Sequence, residues 1–344
     1  MIAKQGPDVF YNGSIAEDLI HDIQQAGGTL TLQDLASYKV TVTDAWTVPL
    51  GEYQMYFPPP PGGGAILSLI LNIMKGYNMS SEPKTTDEKI LFYHRYTEAL
   101  KFANGLKKYI RDPKFNPDKF IQMAKNFTED SFANLIWKNI IDETHDHEYY
   151  NRTAYVDSIG TTHVSVLAED GSTVSVTSTI NKQIFRIFLY SKDYVFSPST
   201  GIILNNQLSD FCGRNGSISS GKGPAGWERP PSSTAPAVLK SQSKTLVIGG
   251  SGGSWITTGM ALAILNHLWF GKSLNEAIDA PVVYVDPENE VKFELRSEKD
   301  LIDALEAKGH KIAKFYNVVN AVEKDGSCIS AWSDERKKGK AAGY

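Results

Sequence analysis

The stretch SIGTTHVSVLAEDGSTVSVTSTIN, Ser158 to Asn181, decides how this chain reads. Two runs in which apolar and polar residues alternate, HVSVLA and STVSVTSTI, flank Glu169-Asp170-Gly171. Alternation with period two predicts strands with one buried face, and the Asp-Gly pair between them predicts a tight hairpin. A hydroxyl residue, Thr161, directly follows Gly160 at the mouth of the first strand, and Thr177 and Thr179 stand at the far end of the second. A threonine hydroxyl is a poor nucleophile unless a base adjoins it. A threonine that begins a chain carries such a base in its own α-amine, whose ordinary pKa is about 8. The backbone must then be cut between Gly160 and Thr161, where glycine admits the strained geometry that lets a hydroxyl attack the carbonyl before it. Taken alone, the junction also reads as an ordinary strand start.

Other stretches converge on it. PPSST, Pro230 to Thr234, sets Ser232 and Ser233 behind rigid prolines, a pair of hydroxyls suited to a carboxylate, though alone the stretch reads as a turn. GGSGGS, Gly249 to Ser254, follows the apolar TLVIG and precedes a helical pattern, so backbone N–H groups collect near a helix N-terminus. It lacks the Gly-Lys-Ser/Thr ending of a phosphate loop, and an oxyanion site is the better functional reading. GIILNNQLSDF, Gly201 to Phe211, offers Asn206, Gln207 and Asp210 to an ammonium group, with a solvated loop as the alternative. His145 and His147 in THDHE have no further ligands at a metal spacing and read as a solvated loop. His163 reads as structural.

With 344 residues the chain is long enough for about two domains or one large α/β unit. A hydrophobic fraction of 41% supports a large core, and a net charge of −4 without a basic, aromatic-interleaved patch argues against a nucleic-acid partner. Two cysteines, Cys212 and Cys328, make neither a disulfide framework nor a zinc site; one bridge or two separate thiols are both open. The longest apolar run, AILSLILNIM from Ala65 to Met74, falls short of the ~20 residues that span a bilayer and reads as a buried helix. No charged-then-apolar leader opens the chain. Five Asn-x-Ser/Thr sequons, at Asn12, Asn78, Asn126, Asn151 and Asn215, lean towards secretion.

Helical patterns dominate the first half: SIAEDLIHDIQQAGG with Ser14 as its cap, TLQDLASY, and the long TTDEKILFYHRYTEALKFANG. KVTVTDAWTV, Lys39 to Val48, alternates as a strand. Strands dominate from Gly160 to Gly249, helices return, and NVVNAVEKDGSCISAWSD predicts a hairpin turning at Asp325-Gly326. The order predicts an α+β fold with helices layered on a pair of antiparallel sheets.

Taken in order, GTTHVSV, DGSTVSVTSTIN, SPSTGIILNNQLSDF, PPSST, GGSGGSWITT and SDERKKGKAAGY closely resemble the γ-glutamyltransferase, or glutathione hydrolase, family. VSVLAEDGS, GIILNN and PPPPGGGAILS look most like its vertebrate leukotriene-C4 hydrolase branch. The resemblance covers the whole chain and implies an N-terminal-nucleophile hydrolase fold, an αββα sandwich incomplete at its N-terminus. Residues 1–160 would be the C-terminal part of the large subunit and 161–344 the small, catalytic subunit released by self-cleavage. It further implies Thr161 as the nucleophile that carries a γ-glutamyl ester, hydrogen-bonded by Thr179, with Asn181 on the glutamyl group. Gln207 and Asp210 would hold the substrate α-amine, Ser232 and Ser233 its α-carboxylate, and Gly252 and Gly253 the oxyanion. Many animal members have glutamate where Gln207 stands. Implied substrates are glutathione and its S-conjugates such as leukotriene C4, with water or an amino acid as acceptor. Implied too are a large–small subunit heterodimer at the extracellular face of the plasma membrane and chemistry without a metal or organic cofactor.

Two departures accompany the resemblance. Family members open with a membrane anchor and a further large-subunit stretch that holds an arginine for the α-carboxylate. Neither has a counterpart before Phe10, which predicts that this sequence is the C-terminal portion of a longer protein. KQIFRIFLYSKDYVF, after Asn181, is longer than the family's usual link and lacks its Phe-Gly-Ser. These departures keep a second reading open, a catalytically inactive relative that persists as a glycoprotein or binding module.

Overall fold

The structure, a computed structural model, describes residues 1–79, 81–150, 160–181, 196–211, 228–286, 290–294, 299–307 and 318–343. They form two compact units, each drawn from separated parts of the chain: Met1–Thr43 with Thr179–Gln207, and Asp44–Ser178 with Leu208–Tyr344. The boundary expected at Gly160-Thr161 is one of cleavage, and it lies within the larger unit.

The smaller unit opens with helices α1 (Ile2–Gln5), α2 (Asp8–Asn12), α3 (Ser14–Gln25) and α4 (Leu32–Ala36). Ala16, Leu19 and Ile20 are the buried face of α3, at the three- and four-residue spacing of an amphipathic helix. Gly13, rather than the expected Ser14, takes the cap position, and Ser14 sits inside the helix with its hydroxyl on the Met1 sulfur at 3.4 Å. Thr31 and Asp34 close a reciprocal capping box on α4. Near the end of α3, Asp22 accepts hydrogen bonds from the Ser197 hydroxyl at 2.5 Å and from the Ser199 amide and hydroxyl, both at 3.0 Å. These pin the turn that leads towards Gln207.

KVTVTDAWTV corrects the sequence reading. Only from Trp46 is it a strand; residues 39–45 lie outside any strand, with Val40 and Val42 exposed. Alternation alone leaves backbone N–H and C=O groups unpaired unless a neighbouring strand meets them.

The larger unit is built on a six-stranded antiparallel sheet. Its strands are β1 (Trp46–Leu50), β2 (Tyr53–Phe57), β5 (Ala237–Lys240), β6 (Lys244–Ser251), β9 (Val318–Asp325) and β10 (Cys328–Ser333), adjacent in that order. Gly326, in the left-handed region at φ 61°, turns β9 into β10 where Asp325-Gly326 predicts it. Helices α5 (Gly64–Lys75), α6 (Thr86–Leu106), α7 (Asp118–Asn126), α8 (Asp130–Trp137) and α9 (Trp255–Ile264) contribute side chains to one core with the sheet. The apolar run of α5 is buried all round, from Gly64 to Met74, as expected of a helix packed on every side. Each Leu or Ile so buried contributes about 1.5–3 kcal/mol. Helices α10 (Leu274–Asp279) and α11 (Lys299–Ala307) and the short hairpin β7 (Val283–Val285) with β8 (Val291–Phe293) complete the unit.

A second sheet, β3 (Gly160–Leu167) with β4 (Thr173–Asn181), turns at Glu169-Asp170-Gly171 as its sequence predicts. Alternation along β6 divides its two sides. A Cβ at Gly250 would meet the Val318 carbonyl of β9 at 2.8 Å and face Met260 and Ile256 of α9 at ordinary contact distance, whereas the neighbouring Gly249 faces the His163 ring on β3. Helices therefore cover one face of the large sheet and the β3–β4 sheet covers the other. These are three layers of the expected sandwich. Among the described residues no helix is long and apolar enough to cross a membrane. IFRIFLY and Cys212 lie outside the described residues, and Cys328 is an exposed free thiol.

Candidate active site

The face that β3–β4 turns towards β6 and β9 is polar. Thr161 and His163 are buried on it, while Val164, Val166, Val174 and Val176 are exposed on the other side. A Cβ at Gly249 would lie 2.0 Å from the His163 ring, so this close approach requires glycine on β6. His163 Nδ1 pairs with the Thr177 hydroxyl at 2.8 Å and Nε2 with the Ser165 hydroxyl at 3.1 Å. Asn320 of β9 donates to the His163 carbonyl at 2.9 Å and accepts from Ser165 at 3.2 Å, and the Ser175 hydroxyl donates to the Ile248 carbonyl at 3.0 Å. Such mutual satisfaction lets polar groups occupy a buried layer without the cost of an unmade bond. Burial pushes the His163 imidazole down to about 4, which keeps it neutral at pH 7. The structural role expected for His163 is the one it has.

Two residues from His163 on the same face of β3, Thr161 reaches the end of β6. Its carbonyl accepts a hydrogen bond from Lys337 Nζ, and the same ammonium donates to the Ser251 hydroxyl at 3.2 Å. Lys337 thus bridges Thr161 to the residue that precedes Gly252. Gly252 and Gly253 both have left-handed φ, 125° and 63°, and their carbonyls accept from the Trp255 and Ile256 amides to open α9. A glycine turn at the N-terminus of α9 therefore follows directly on Ser251, which Lys337 bridges to Thr161.

The sequence by itself gives Lys337 no role, although SDERKKGKAAGY is one of the stretches behind the family resemblance. Nothing in local pattern connects it with Thr161, 176 positions away. Tertiary structure does so through the 3₁₀ helix Glu335–Lys337, whose first turn is capped by Asp334. Arg336 holds that helix with a two-pronged grip on Glu294, at 2.9 and 2.7 Å, and a further bond to Asp334 at 2.9 Å. Burial holds the Lys337 amine below its ordinary pKa.

The serine pair is also seated. The Ser232 amide donates to the Pro61 carbonyl at 2.9 Å, and the Gly63 amide donates to the Thr234 carbonyl at 2.8 Å. A Cβ at Gly63 would lie 2.8 Å from the Ser233 carbonyl oxygen, so the PPPPGGG loop approaches the PPSST loop backbone to backbone. Ser232 and Ser233 are half-buried, as is Asp210 in the 3₁₀ helix Gln207–Phe211. In the smaller unit, the Asn181 amide donates to the Thr179 hydroxyl at 2.9 Å, Asn181 is left-handed at φ 74°, and its side chain reaches the Asn206 carbonyl at 3.5 Å. Gln207 donates its amide to Asn205 Oδ1 at 2.9 Å. The expected residues thus fall into two sets: Thr161, Asp210, Ser232, Ser233, Gly252 and Gly253 in the larger unit, and Thr179, Asn181 and Gln207 in the smaller. His145 stacks on Tyr149 at 3.8 Å between centroids, and among the described residues no group of three or more His, Cys, Asp or Glu is placed to hold a metal.

Comparison with known proteins bears on this geometry. The crystal structure of cephalosporin acylase from Bacillus halodurans superposes with a TM-score of 0.80 at 22% identity, over 100% of this chain and 61% of that one. The fold is that of this acylase, an α+β arrangement with both helices and sheets as expected. Residues 1–344 match the family model of gamma-glutamyltranspeptidase. The human glutathione hydrolase 5 proenzyme is 41% identical over 369 residues, covering 100% of this chain and 61% of that protein. Glutathione hydrolase 2 of Arabidopsis thaliana is 34% identical over 300 residues, covering 82% and 49% respectively. The chain belongs to the γ-glutamyltranspeptidase family, and it spans about three-fifths of the human relative's length.

Proposed function

We propose that this protein is a γ-glutamyl hydrolase and transferase that acts on glutathione and its S-conjugates, leukotriene C4 among them, through a γ-glutamyl ester on Thr161. One observation carries the reading: Thr161 is buried on the inner face of β3, tied through Lys337 to Ser251 beside the Gly252-Gly253 turn. Cleavage of the Gly160-Thr161 bond frees an α-amine, with an ordinary pKa of about 8, as a base for the hydroxyl of the same residue. That hydroxyl attacks the γ-carbonyl, and the amine takes its proton and passes it to the departing amine. Gly252 and Gly253 amides at the N-terminus of α9 stabilise the oxyanion. Water or an acceptor amino acid then attacks the ester, with the amine again as base. Neutral His163, two residues along the same face of β3, has no titration near pH 7 with which to compete.

In the same reading Ser232 and Ser233 take the α-carboxylate, Gln207 and Asp210 the α-ammonium, Asn181 the glutamyl chain, and Thr179 hydrogen-bonds the nucleophile. Five sequons support an extracellular site of action, at the outer face of the plasma membrane. Mass spectrometry of the purified protein tests the first step, with a species that begins at Thr161 as the expected result. Release of an anilide from a γ-glutamyl anilide by wild type, and none by Thr161→Ala, is the expected result for the second. A folded, uncleaved chain without activity would instead mark a catalytically inactive relative.

A further inference from the structure

We propose that Asp112 and Arg229 are positioning residues for the substrate's α-carboxylate, because together they fix the loop that presents Ser232 and Ser233. This rests on the reading of those serines under Proposed function. Arg229 precedes Ser232 by only Pro230 and Pro231, whose rings lock φ and leave little torsional slack between anchor and hydroxyl. Arg229 meets Asp112 as a fork: Nε donates to Oδ2 at 2.9 Å and Nη2 to Oδ1 at 3.2 Å. Its backbone amide adds a third bond, to Oδ2 at 3.0 Å, and the Lys114 amide a fourth, to Oδ1 at 3.1 Å. Each carboxylate oxygen of Asp112 therefore accepts two donors.

The carboxylate of this pair is buried, with Asp112 only 1% exposed, while the Arg229 side chain that caps it is half-exposed. Burial opposes its charge, and the bonds from Arg229 and Lys114 outweigh that, holding the carboxyl below its usual range. The adjacent Asn116 side chain donates to Glu228 Oε1 at 2.8 Å and to the Asp112 carbonyl at 2.9 Å, so residues 228 and 229 are both held by the 112–116 turn. On the far side, Pro61 and Gly63 hold Ser232 and Thr234. The loop is thus clamped before and after the serines. Neutral hydroxyls bind an anion well only when they are ordered beforehand, because otherwise binding must supply the ordering entropy. The clamp supplies that order from outside the site.

The test compares kcat and KM for γ-glutamyl-p-nitroanilide and for 4-aminobutyryl-p-nitroanilide, the same compound without its α-carboxylate. Wild type, Arg229→Lys, Arg229→Ala and Asp112→Asn are measured after maturation is confirmed by a chain that begins at Thr161. Arg229→Ala is expected to lower kcat/KM for the γ-glutamyl substrate about tenfold, mostly through KM, and to leave the decarboxylated analogue within about twofold. Arg229→Lys, which keeps the charge and loses the fork, should fall between. Should Asp112→Asn fail to fold, the half-exposed Arg229 side chain leaves its own variants to carry the result. An equal fall for both substrates, or no change for either, overturns the proposal while leaving the γ-glutamyl activity intact. A mature wild type that cleaves neither compound removes the serine-pair reading, and this inference with it.

Discussion

Burial between β3 and β6 keeps the His163 imidazole neutral down to about pH 4, whereas the unfolded chain takes up that proton near the ordinary 6.5. Between those values the unfolded state binds more protons, so stability rises with pH there. The contribution, about 3 kcal/mol at 1.36 kcal/mol per pKa unit, is complete above 6.5 and is lost as the pH falls towards 4. His267 has the opposite sign. Burial works against its charge, but Glu323 at 2.9 Å and the Lys272 carbonyl at 2.7 Å raise its pKa above 6.5. Its stabilisation is present below 6.5 and is lost as the pH rises through the folded value. Denaturant titrations over a pH series should therefore show a flatter slope between pH 4 and 6.5 for His163→Gln, and for His267→Gln a loss confined to the acid side. A Cβ at Gly249 collides with the buried ring. Gly249→Ala is expected to cost about 1–3 kcal/mol, and His163→Ala in the same chain to recover part of it, which a double-mutant cycle reads as coupling.

Helix α6 is started by a capping box, with Thr85 and Glu88 each accepting the other's backbone amide. Thr85→Ala should lower stability by about 1 kcal/mol, visible as a small fall in Tm. A larger effect belongs to the 3₁₀ helix Glu335–Lys337, because Arg336 stands between two carboxylates. Arg336→Met would leave Glu294 and Asp334, both largely buried, without their cation, at a cost of about 3–5 kcal/mol. The same change releases the element that carries Lys337 to Thr161. If that contact aids maturation, time courses of the Thr161 species will be slower in Arg336→Met than in Thr85→Ala, even where a stabilising cosolvent equalises their Tm values.

Across the whole molecule, cleavage before Thr161 would separate neighbours in one sheet. Strands β1 and β2 come from residues 1–160 and the other four from 161–344, joined by the ladder Gln54↔Lys240, Met55↔Leu239 and Tyr56↔Val238. Helices α5 and α6 of the first piece share a core with α9 of the second. Both pieces should therefore elute together on gel filtration after cleavage and part only in denaturant. Two separately eluting folded fragments would contradict the interlaced architecture.

By itself the sequence determined the hairpin turns at Asp170-Gly171 and Asp325-Gly326, the buried α5, the helical runs of α4 and α6 though not the cap of α3, and the glycine turn before α9. Each is local, written within a few residues by φ, hydroxyl or periodicity. Which side of β3–β4 faces the core was decided by tertiary structure, and it is the polar side: Gly249 leaves space for a ring, and Asn320, Ser165 and Thr177 satisfy its surroundings. Alternation specifies that two faces differ and cannot specify what will pack on either. The same limit left KVTVTDAWTV mostly unpaired, and hid Lys337 and the Asp112–Arg229 clamp. A partner more than 100 positions away leaves no periodic mark, because only the folded chain brings its donor within hydrogen-bond reach.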